Sequence, residues 1–260
     1  MAGRNGVKWS REETILAYEL YCRTPFSKIS QINPEIKKLA ELLGRTAGSV
    51  ALKMHNLAHY DPELKKRNVT AMAHGSKLDG EIFVEFCNDW TELSYQAQII
   101  RAKMQNTQIN ELIDVGDIDD IPPGEYKEKV MKNRVGQYFF RMSVLNSYGN
   151  RCCITGMRRS ELLIASHIKP WSVCNEKTER TNPCNGLCLN SLHDKAFDKG
   201  LLTLDSSLKL VFSKEMKNVQ MDEMTREWFY GYEGKQINLP DKFLPGKKFI
   251  EYHNDVIFLG

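Results

Sequence analysis

The segment "ELLIASHIKPW" at 161–171 constrains the fold of this chain more than any other feature. A short apolar run ends on His167, and a proline follows three residues later. Short apolar runs bounded by turn residues are typical of buried strands, and the residue before a proline is biased away from helix. The pattern therefore predicts a short strand that carries one imidazole to its end.

The residues after this strand predict a second strand and a short helix. A polar loop, "SVCNEKTERTNPC", leads to "NGLCL", which Asn185 and Gly186 introduce. In "NSLHDKAFDKG", Asn190 is placed to cap a helix that Gly200 ends, and His193 lies in its first turn. The predicted order is strand, loop, strand and helix, with a polar side chain from each of these elements.

The first sixty residues predict three helices. Ser10 and Glu13 form a capping-box signature at the start of the first helix. Asn33 and Thr46 are candidate caps for the second and third helices. A tight link, "GRT", joins the second helix to the third, so these two helices are expected to be neighbours.

The third helix has an apolar side and a polar side. The apolar side holds Val50, Met54 and Leu57, and the outer side holds four candidate DNA-binding residues at or beside the helix, Arg45, Ser49, Lys53 and Asn56. A short turn followed by a helix with a polar, basic outer face is what a helix-turn-helix needs to read the DNA major groove. A small helical bundle with a solvated face explains the same pattern, and the residues alone leave both interpretations open.

Composition shifts divide the chain into three parts. Residues 61–110 mix helical and loop-like stretches, and "NELIDVGDIDDIPPGE" at 110–125 is an acidic boundary that contains proline and glycine. We predict an α+β protein in three parts: a helical candidate DNA-binding domain at 1–60, a helical connector with an acidic linker at 61–125, and a third domain that contains the strands at 126–260.

The bulk composition narrows the function classes. A formal net charge of +3 favours nucleic acid only weakly. No segment reaches the roughly 18 uncharged apolar residues of a membrane span, and the N-terminus lacks an apolar signal core, so we expect no membrane association and a cytoplasmic location. The seven cysteines include no CxxC pair, which favours buried thiols over zinc ligands. A zinc-stabilised interaction module is therefore the weakest candidate.

The motif "SHIKPW…NGLCLNSLHDKAFDKG" resembles the HNH nuclease family, whose site is a ββα-metal fold. The resemblance extends upstream through "RVGQYFFRMSVLNSYGNRCCITG" and downstream to "LPGKKFIEYHNDVIF". The N-terminal segment is similar to the helical module that accompanies many bacterial enzymes of this type. The resemblance implies a helix-turn-helix-like domain followed by a ββα-metal nuclease domain, and a metal-dependent endonuclease that acts on double-stranded DNA in restriction or defence.

The resemblance also implies roles for two catalytic residues. His167 would be the general base, because histidine titrates closest to neutral pH. Asn185 would hold the turn after His167 or orient its imidazole. Trp171, which follows in the same turn, is expected in the core, and His253, near the end of the chain, is expected to pack or to form hydrogen bonds.

The implied metal site takes one divalent ion, Mg²⁺ or Mn²⁺. His193 would ligate it from the helix. Ser166 occupies the position where the family often has an acid or a histidine, so the ligand set is short of negative charge. Asp198, its neighbour Asp194 or the scissile phosphate would have to supply that charge.

Two further expectations follow from this site. Ser166 keeps open a second function, that of a DNA-binding regulator whose HNH fold is inactive. A site with one general base and one metal ion cleaves one DNA strand in each binding event. Two such sites in a symmetric homodimer would cleave both strands of the duplex.

Overall fold

The structure is a computed structural model, and it describes residues 7–62, 64, 75–114 and 124–260. It confirms the α+β class, with helices in the N-terminal part and small antiparallel sheets in the C-terminal part. The chain divides into two compact units, 1–143 with 176–182 and 144–175 with 183–260. Much of the predicted acidic linker, residues 115–123, lies outside the described residues.

The first unit is helical. Its elements are α1 (Arg11–Arg23), α2 (Pro34–Leu43), α3 (Ala47–Ala58), α4 (Lys77–Phe86), α5 (Trp90–Gln105), the single turn α6 (Ile109–Leu112) and most of α7 (Glu125–Ser147). The predicted caps are confirmed. Ser10 and Glu13 form the capping box of α1, Asn33 caps α2, and Thr46 caps α3. The segment predicted as a connector supplies α4 and α5.

Helix α1 is the centre of the first unit, because α2, α3, α4 and α5 all pack against it. Every residue from Glu13 to Arg23 is buried, so α1 takes charged side chains into the interior. Those charges are paired, Glu13 with Arg45, and Glu19 with both Arg23 and Arg101. Pairing is required because an unpaired buried charge costs several kcal/mol.

The second unit contains the predicted strand, strand and helix. β1 (Leu163–His167) pairs antiparallel with β2 (Gly186–Asn190), and α8 (Ser191–Asp198) follows at once and packs on both strands. The register pairs Leu163 with Asn190 and His167 with Gly186. The end of β1 therefore lies beside the start of β2, which brings His167 close to the residues that precede β2.

A second hairpin and three helices complete this unit, β3 (Leu202–Leu204), β4 (Leu210–Phe212), α9 (Lys214–Lys217), α10 (Glu223–Tyr230) and α11 (Lys247–Val256). Gly200 joins α8 to β3 with a φ of +68°, and a Cβ there would lie 2.1 Å from the Ile257 carbonyl oxygen. Both the left-handed conformation and the close backbone approach require glycine at this position.

His253 on α11 is a packing and hydrogen-bonding residue, as expected. It is buried, its ring stacks on Phe197 with 3.8 Å between centroids, and its Nδ1 lies 2.8 Å from the Thr203 hydroxyl. These contacts join α11 to α8 and β3. Across the described ranges, no helix is both long enough and apolar enough to cross a membrane.

Candidate active site

A cavity of about 490 Å³ lies beside β1 and α8 in the second unit. Its lining includes four polar residues that the sequence singled out, Ser166, His167, Asp194 and Asp198. β1 supplies the first two and α8 the other two. The hairpin register and the packing of α8 on both strands thus bring together residues that are far apart in the chain.

His167 is the last residue of β1 and is partly buried. Its ring meets the ring of Trp171 edge-on, with 5.6 Å between centroids. Trp171 is partly exposed and lines the same cavity, so the expectation that it belongs to the core is wrong. The indole instead forms one wall of the site and limits how the imidazole can turn.

Asn185 fixes the turn that follows His167. Its side chain is fully buried, its Oδ1 accepts a hydrogen bond from the Lys169 N–H at 2.8 Å, and its Nδ2 donates to the Lys169 carbonyl at 3.0 Å. Its own carbonyl accepts from the Ile168 N–H at 2.9 Å. These bonds lock the backbone immediately after the imidazole, so Asn185 positions His167 through the main chain.

Asp194 and Asp198 lie one turn apart on α8, on the face that borders the cavity. Burial raises the pKa of the Asp194 carboxyl. Burial and the neighbouring charge of Asp194 raise the pKa of Asp198. The buried Oγ of Ser166 has no hydrogen-bond partner within the described chain at normal geometry, yet it lies close enough to Asp194 to lower that pKa slightly.

These donors fit a hard divalent cation. Two carboxylates that repel each other are stabilised by a cation between them. Mg²⁺ is commonly bound through one or two carboxylates, with water and substrate phosphate completing its shell. Residues 7–62, 64, 75–114 and 124–260 contain no group of three or more His, Cys, Asp or Glu placed to hold a metal. The carboxylates that line this cavity are those of Asp194 and Asp198.

His193 does not line this cavity, which corrects the position expected from the sequence. It is 0% exposed, and its ring stacks on Trp228 with 4.5 Å between centroids. Its Nδ1 lies 2.9 Å from the Asn190 Nδ2 and accepts a hydrogen bond from it. The buried Nε2 has no partner among the described residues. Burial lowers the pKa of His193 to about 4, so the imidazole is neutral at pH 7.

The geometry of the helix explains why Asp194 and not His193 borders the cavity. Consecutive residues point about 100° apart around a helix, so these neighbours cannot face the same way. The buried residues of α8 are His193, Ala196 and Phe197, which follow i, i+3, i+4 spacing. That apolar spacing was visible in the sequence and places His193 on the inner face.

Arg45 and Lys53 are buried in the first unit, so the predicted basic outer face of α3 is wrong. The Arg45 guanidinium lies 2.7 Å from the Glu13 carboxylate and 4.3 Å above the Trp9 ring. Lys53 is 4% exposed and pairs with Asp79. Both charges are neutralised inside the protein and are not presented to solvent.

Ser49 and Asn56, the other two candidate DNA-binding residues, are partly exposed on α3. Leu52 lies on the same side and is 48% exposed. The outer face of α3 is therefore polar and apolar, without the two basic residues expected there. Hydroxyl and amide side chains can contact bases, but phosphate attraction needs cations from elsewhere.

The segment that contains the cavity matches a known protein family. Residues 152–205 match the family described as HNH endonuclease, and this range contains β1, β2, α8 and every residue that lines the cavity. Among solved structures, the chain is similar to a modification-dependent TagI restriction endonuclease, with 19% identity and a TM-score of 0.32 over 45% of this chain and 36% of that chain. The match thus spans about a third of that protein. A search of curated proteins finds no match.

Proposed function

Because the chain carries an HNH endonuclease domain at residues 152–205, we propose that it hydrolyses phosphodiester bonds of double-stranded DNA with the help of a divalent metal ion. The observation that carries the proposal is the meeting of His167, Asp194 and Asp198 on one cavity inside the matched region. Phosphodiester hydrolysis needs a base for the attacking water and a cation for the developing negative charge, and this cavity holds candidates for both.

His167 acts as the general base. A ring nitrogen of the imidazole accepts the proton of the attacking water, a role that typically contributes about 10²–10⁴ in rate. Asn185 positions this ring by holding the turn at Lys169, and Trp171 restricts its rotation. The base therefore starts the reaction already oriented toward the cavity.

Asp194 and Asp198 would hold the divalent ion, Mg²⁺ or Mn²⁺, with Ser166 beside them. When bound, that ion neutralises charge on the phosphoryl and leaving oxygens. The carboxyls must be ionised for this role. Burial raises their pKa values and opposes ionisation, whereas a bound cation would favour the ionised form. His193 has a different role, because its neutral ring holds the start of α8 through Asn190 and Trp228.

The positions of Lys195 and Lys199 favour a polyanionic substrate. They are exposed, line the same cavity, and form a row on α8 next to the row of the two aspartates. A row of lysines beside a metal site can hold the phosphates that flank the scissile bond, and the released counterions favour binding. These residues take the place of Arg45 and Lys53 as candidate contacts to the DNA backbone.

Nicking of supercoiled plasmid tests the proposal. We expect the native protein to convert supercoiled DNA to nicked or linear DNA with Mg²⁺ or Mn²⁺ and not with EDTA. His167→Ala should lose this activity, and His59→Ala, a partly exposed histidine of the first unit, is the matched control. Parallel cleavage assays on single-stranded DNA and on RNA determine which class of nucleic acid is the substrate. Native-rate nicking by His167→Ala would remove the base assignment.

Ser166 supports a second candidate function, a DNA-binding regulator with an inactive HNH fold. In that case the native protein binds duplex DNA but cuts no substrate with either metal, whereas Ser166→Asp, which adds a third carboxylate, could restore cleavage. A role in restriction or defence rests on the family resemblance. Digestion of methylated and unmethylated genomic DNA, with sequencing of the ends, tests that role.

A further inference from the structure

The first unit contains a second cavity, which the proposed nuclease chemistry does not use. It has a volume of about 190 Å³, and α1, α2, α5, α6 and α7 contribute to its lining. Its polar lining residues include Arg23, Glu35, Lys38, Gln98, Arg101, Gln105 and Tyr138.

Two arginines share one carboxylate beside this cavity. Arg23 and Arg101 both pair with Glu19, and the Arg101 Nη2 lies 2.8 Å from the Glu19 Oε2. Glu19 is 1% exposed. Burial alone would raise the pKa of Glu19, but the two guanidinium groups lower it, so the carboxylate is ionised. Around the cavity, Arg23, Arg101 and Lys38 face Glu19 and Glu35, which leaves a formal excess of one positive charge.

Two buried polar atoms of the lining residues are unsatisfied. Gln98 is 4% exposed, and neither its Oε1 nor the Nε of Arg101 has a hydrogen-bond partner in the described part of the chain. Unpaired buried groups of this kind destabilise the folded state. A ligand that accepts a hydrogen bond from the guanidinium and donates one to the amide oxygen would satisfy both atoms.

We propose that this cavity binds a phosphate group that retains an ionisable hydroxyl, as in inorganic phosphate or a terminal phosphate monoester. The anionic oxygens would accept from Arg101 and offset the excess positive charge. The P–OH group would donate to the Gln98 Oε1. Arginine is well suited to phosphate because its planar fork donates several parallel hydrogen bonds. The site lies wholly within the first unit, so it is independent of the proposed nuclease function.

Titration calorimetry on the native protein, without divalent metal, tests the proposal directly. Sulfate has the same shape and charge as phosphate but no hydroxyl to donate at neutral pH. We expect saturable 1:1 binding of inorganic phosphate, at least about tenfold tighter than sulfate, which corresponds to the loss of one good hydrogen bond. Absence of saturable phosphate binding, or equal affinity for sulfate, would overturn the proposal.

Variants then locate the site. Gln98→Leu removes the acceptor, and Arg101→Lys keeps the charge near Glu19 but removes the Nε–H, so each should weaken phosphate binding about tenfold. Lys103→Gln on the same helix is the control, because its side chain is 75% exposed and Lys103 does not line the cavity. The combined Lys195→Gln and Lys199→Gln variant should still bind phosphate normally. Loss of binding in that variant would assign the phosphate to the nuclease cavity instead.

A final comparison identifies the source of the phosphate. Short DNA duplexes with and without a 5′ phosphate, and a free nucleoside monophosphate, are titrated into the His167→Ala protein in EDTA. A preference for the 5′-phosphorylated duplex that Gln98→Leu abolishes would assign the site to DNA ends. Binding of the free nucleotide alone would assign it to a small-molecule ligand. If neither binds while inorganic phosphate does, the ligand is the free anion.

Discussion

Lys53 of α3 and Asp79 of α4 form a buried ion pair, with their side chains 5% and 1% exposed. The Asp79 carboxylate also accepts a hydrogen bond from the Ser76 N–H at 2.9 Å, which closes the capping box of α4. One carboxylate thus serves both the start of α4 and the packing of α4 against α3. Lys53, which the sequence predicts on a DNA-reading face, is instead part of the interior of the first unit.

We predict that Lys53→Met destabilises the protein by about 3–5 kcal/mol, because it leaves the Asp79 charge buried and unpaired. Urea unfolding measures the change in the free energy of unfolding. Lys77→Met is the control, because Lys77 is 92% exposed and should change stability by no more than about 0.5 kcal/mol. A Lys53→Met protein with native stability and weakened DNA binding would return Lys53 to the DNA-binding surface.

The different positions of His193 and Asp198 predict different effects on metal binding. Asp198→Asn should weaken Mn²⁺ binding by at least about tenfold, because it removes a charged ligand. His193→Phe should leave Mn²⁺ affinity nearly unchanged, since the new ring can still stack on Trp228. It should lower stability by about 1–3 kcal/mol, because Asn190 loses its acceptor.

Calorimetric titration with Mn²⁺, followed by urea unfolding of each variant, separates these outcomes. Loss of Mn²⁺ binding in a stable His193→Phe protein would show that His193 is a ligand after all.

Replacing both Lys195 and Lys199 with glutamine should weaken binding to duplex DNA and flatten its dependence on salt. Each lost phosphate contact reduces the slope of log affinity against log salt by about 0.9, so two contacts give a change of about 2. The measurement is a set of binding titrations over a range of salt in the His167→Ala background, which prevents cleavage. Lys247→Gln on α11 is the control, and an unchanged slope in the double variant would show that α8 does not hold the DNA backbone.

Acid should destabilise the second unit between about pH 6.5 and pH 4. Burial lowers the pKa values of both His193 and His253 to about 4, whereas the unfolded chain has an ordinary histidine pKa of about 6.5. Between these values the unfolded state binds more protons, so the stabilisation is complete above about pH 6.5 and is lost as the pH falls toward 4. The raised carboxyl pKa values of Asp194 and Asp198 oppose part of this loss.

Urea unfolding at pH 7 and at pH 5 measures this dependence. The expected loss is about 1–2 kcal/mol per histidine over this interval. His253→Gln should reduce the difference between the two pH values, although it also weakens the contact with Thr203. Equal stability at pH 7 and pH 5 would contradict the prediction.

The elements of the fold could be predicted from the sequence wherever the signal is local. Ser10 with Glu13, Asn33 and Thr46 cap their helices as predicted, because a cap depends only on residues within one turn. Gly200 ends α8 for the same reason, and the order of β1, β2 and α8 follows from turn residues and short apolar runs. The sequence by itself therefore determined the element order and the set of polar groups from which the candidate site is built.

Only the tertiary structure decided that Ser166 and His167 of β1 share one cavity with Asp194 and Asp198 of α8, and which charges are neutralised. The spacing of His193, Ala196 and Phe197 already places His193 on the inner face of α8, but the contact that covers its imidazole comes from Trp228 of α10. Whether Lys53 is free depends on Asp79 of α4. These contacting residues belong to other helices. The pattern of polar residues along one helix does not show which residues of another helix will pack against it. Burial and ion pairing arise when separate elements pack, so the functional face of a helix is fixed by its neighbours in space.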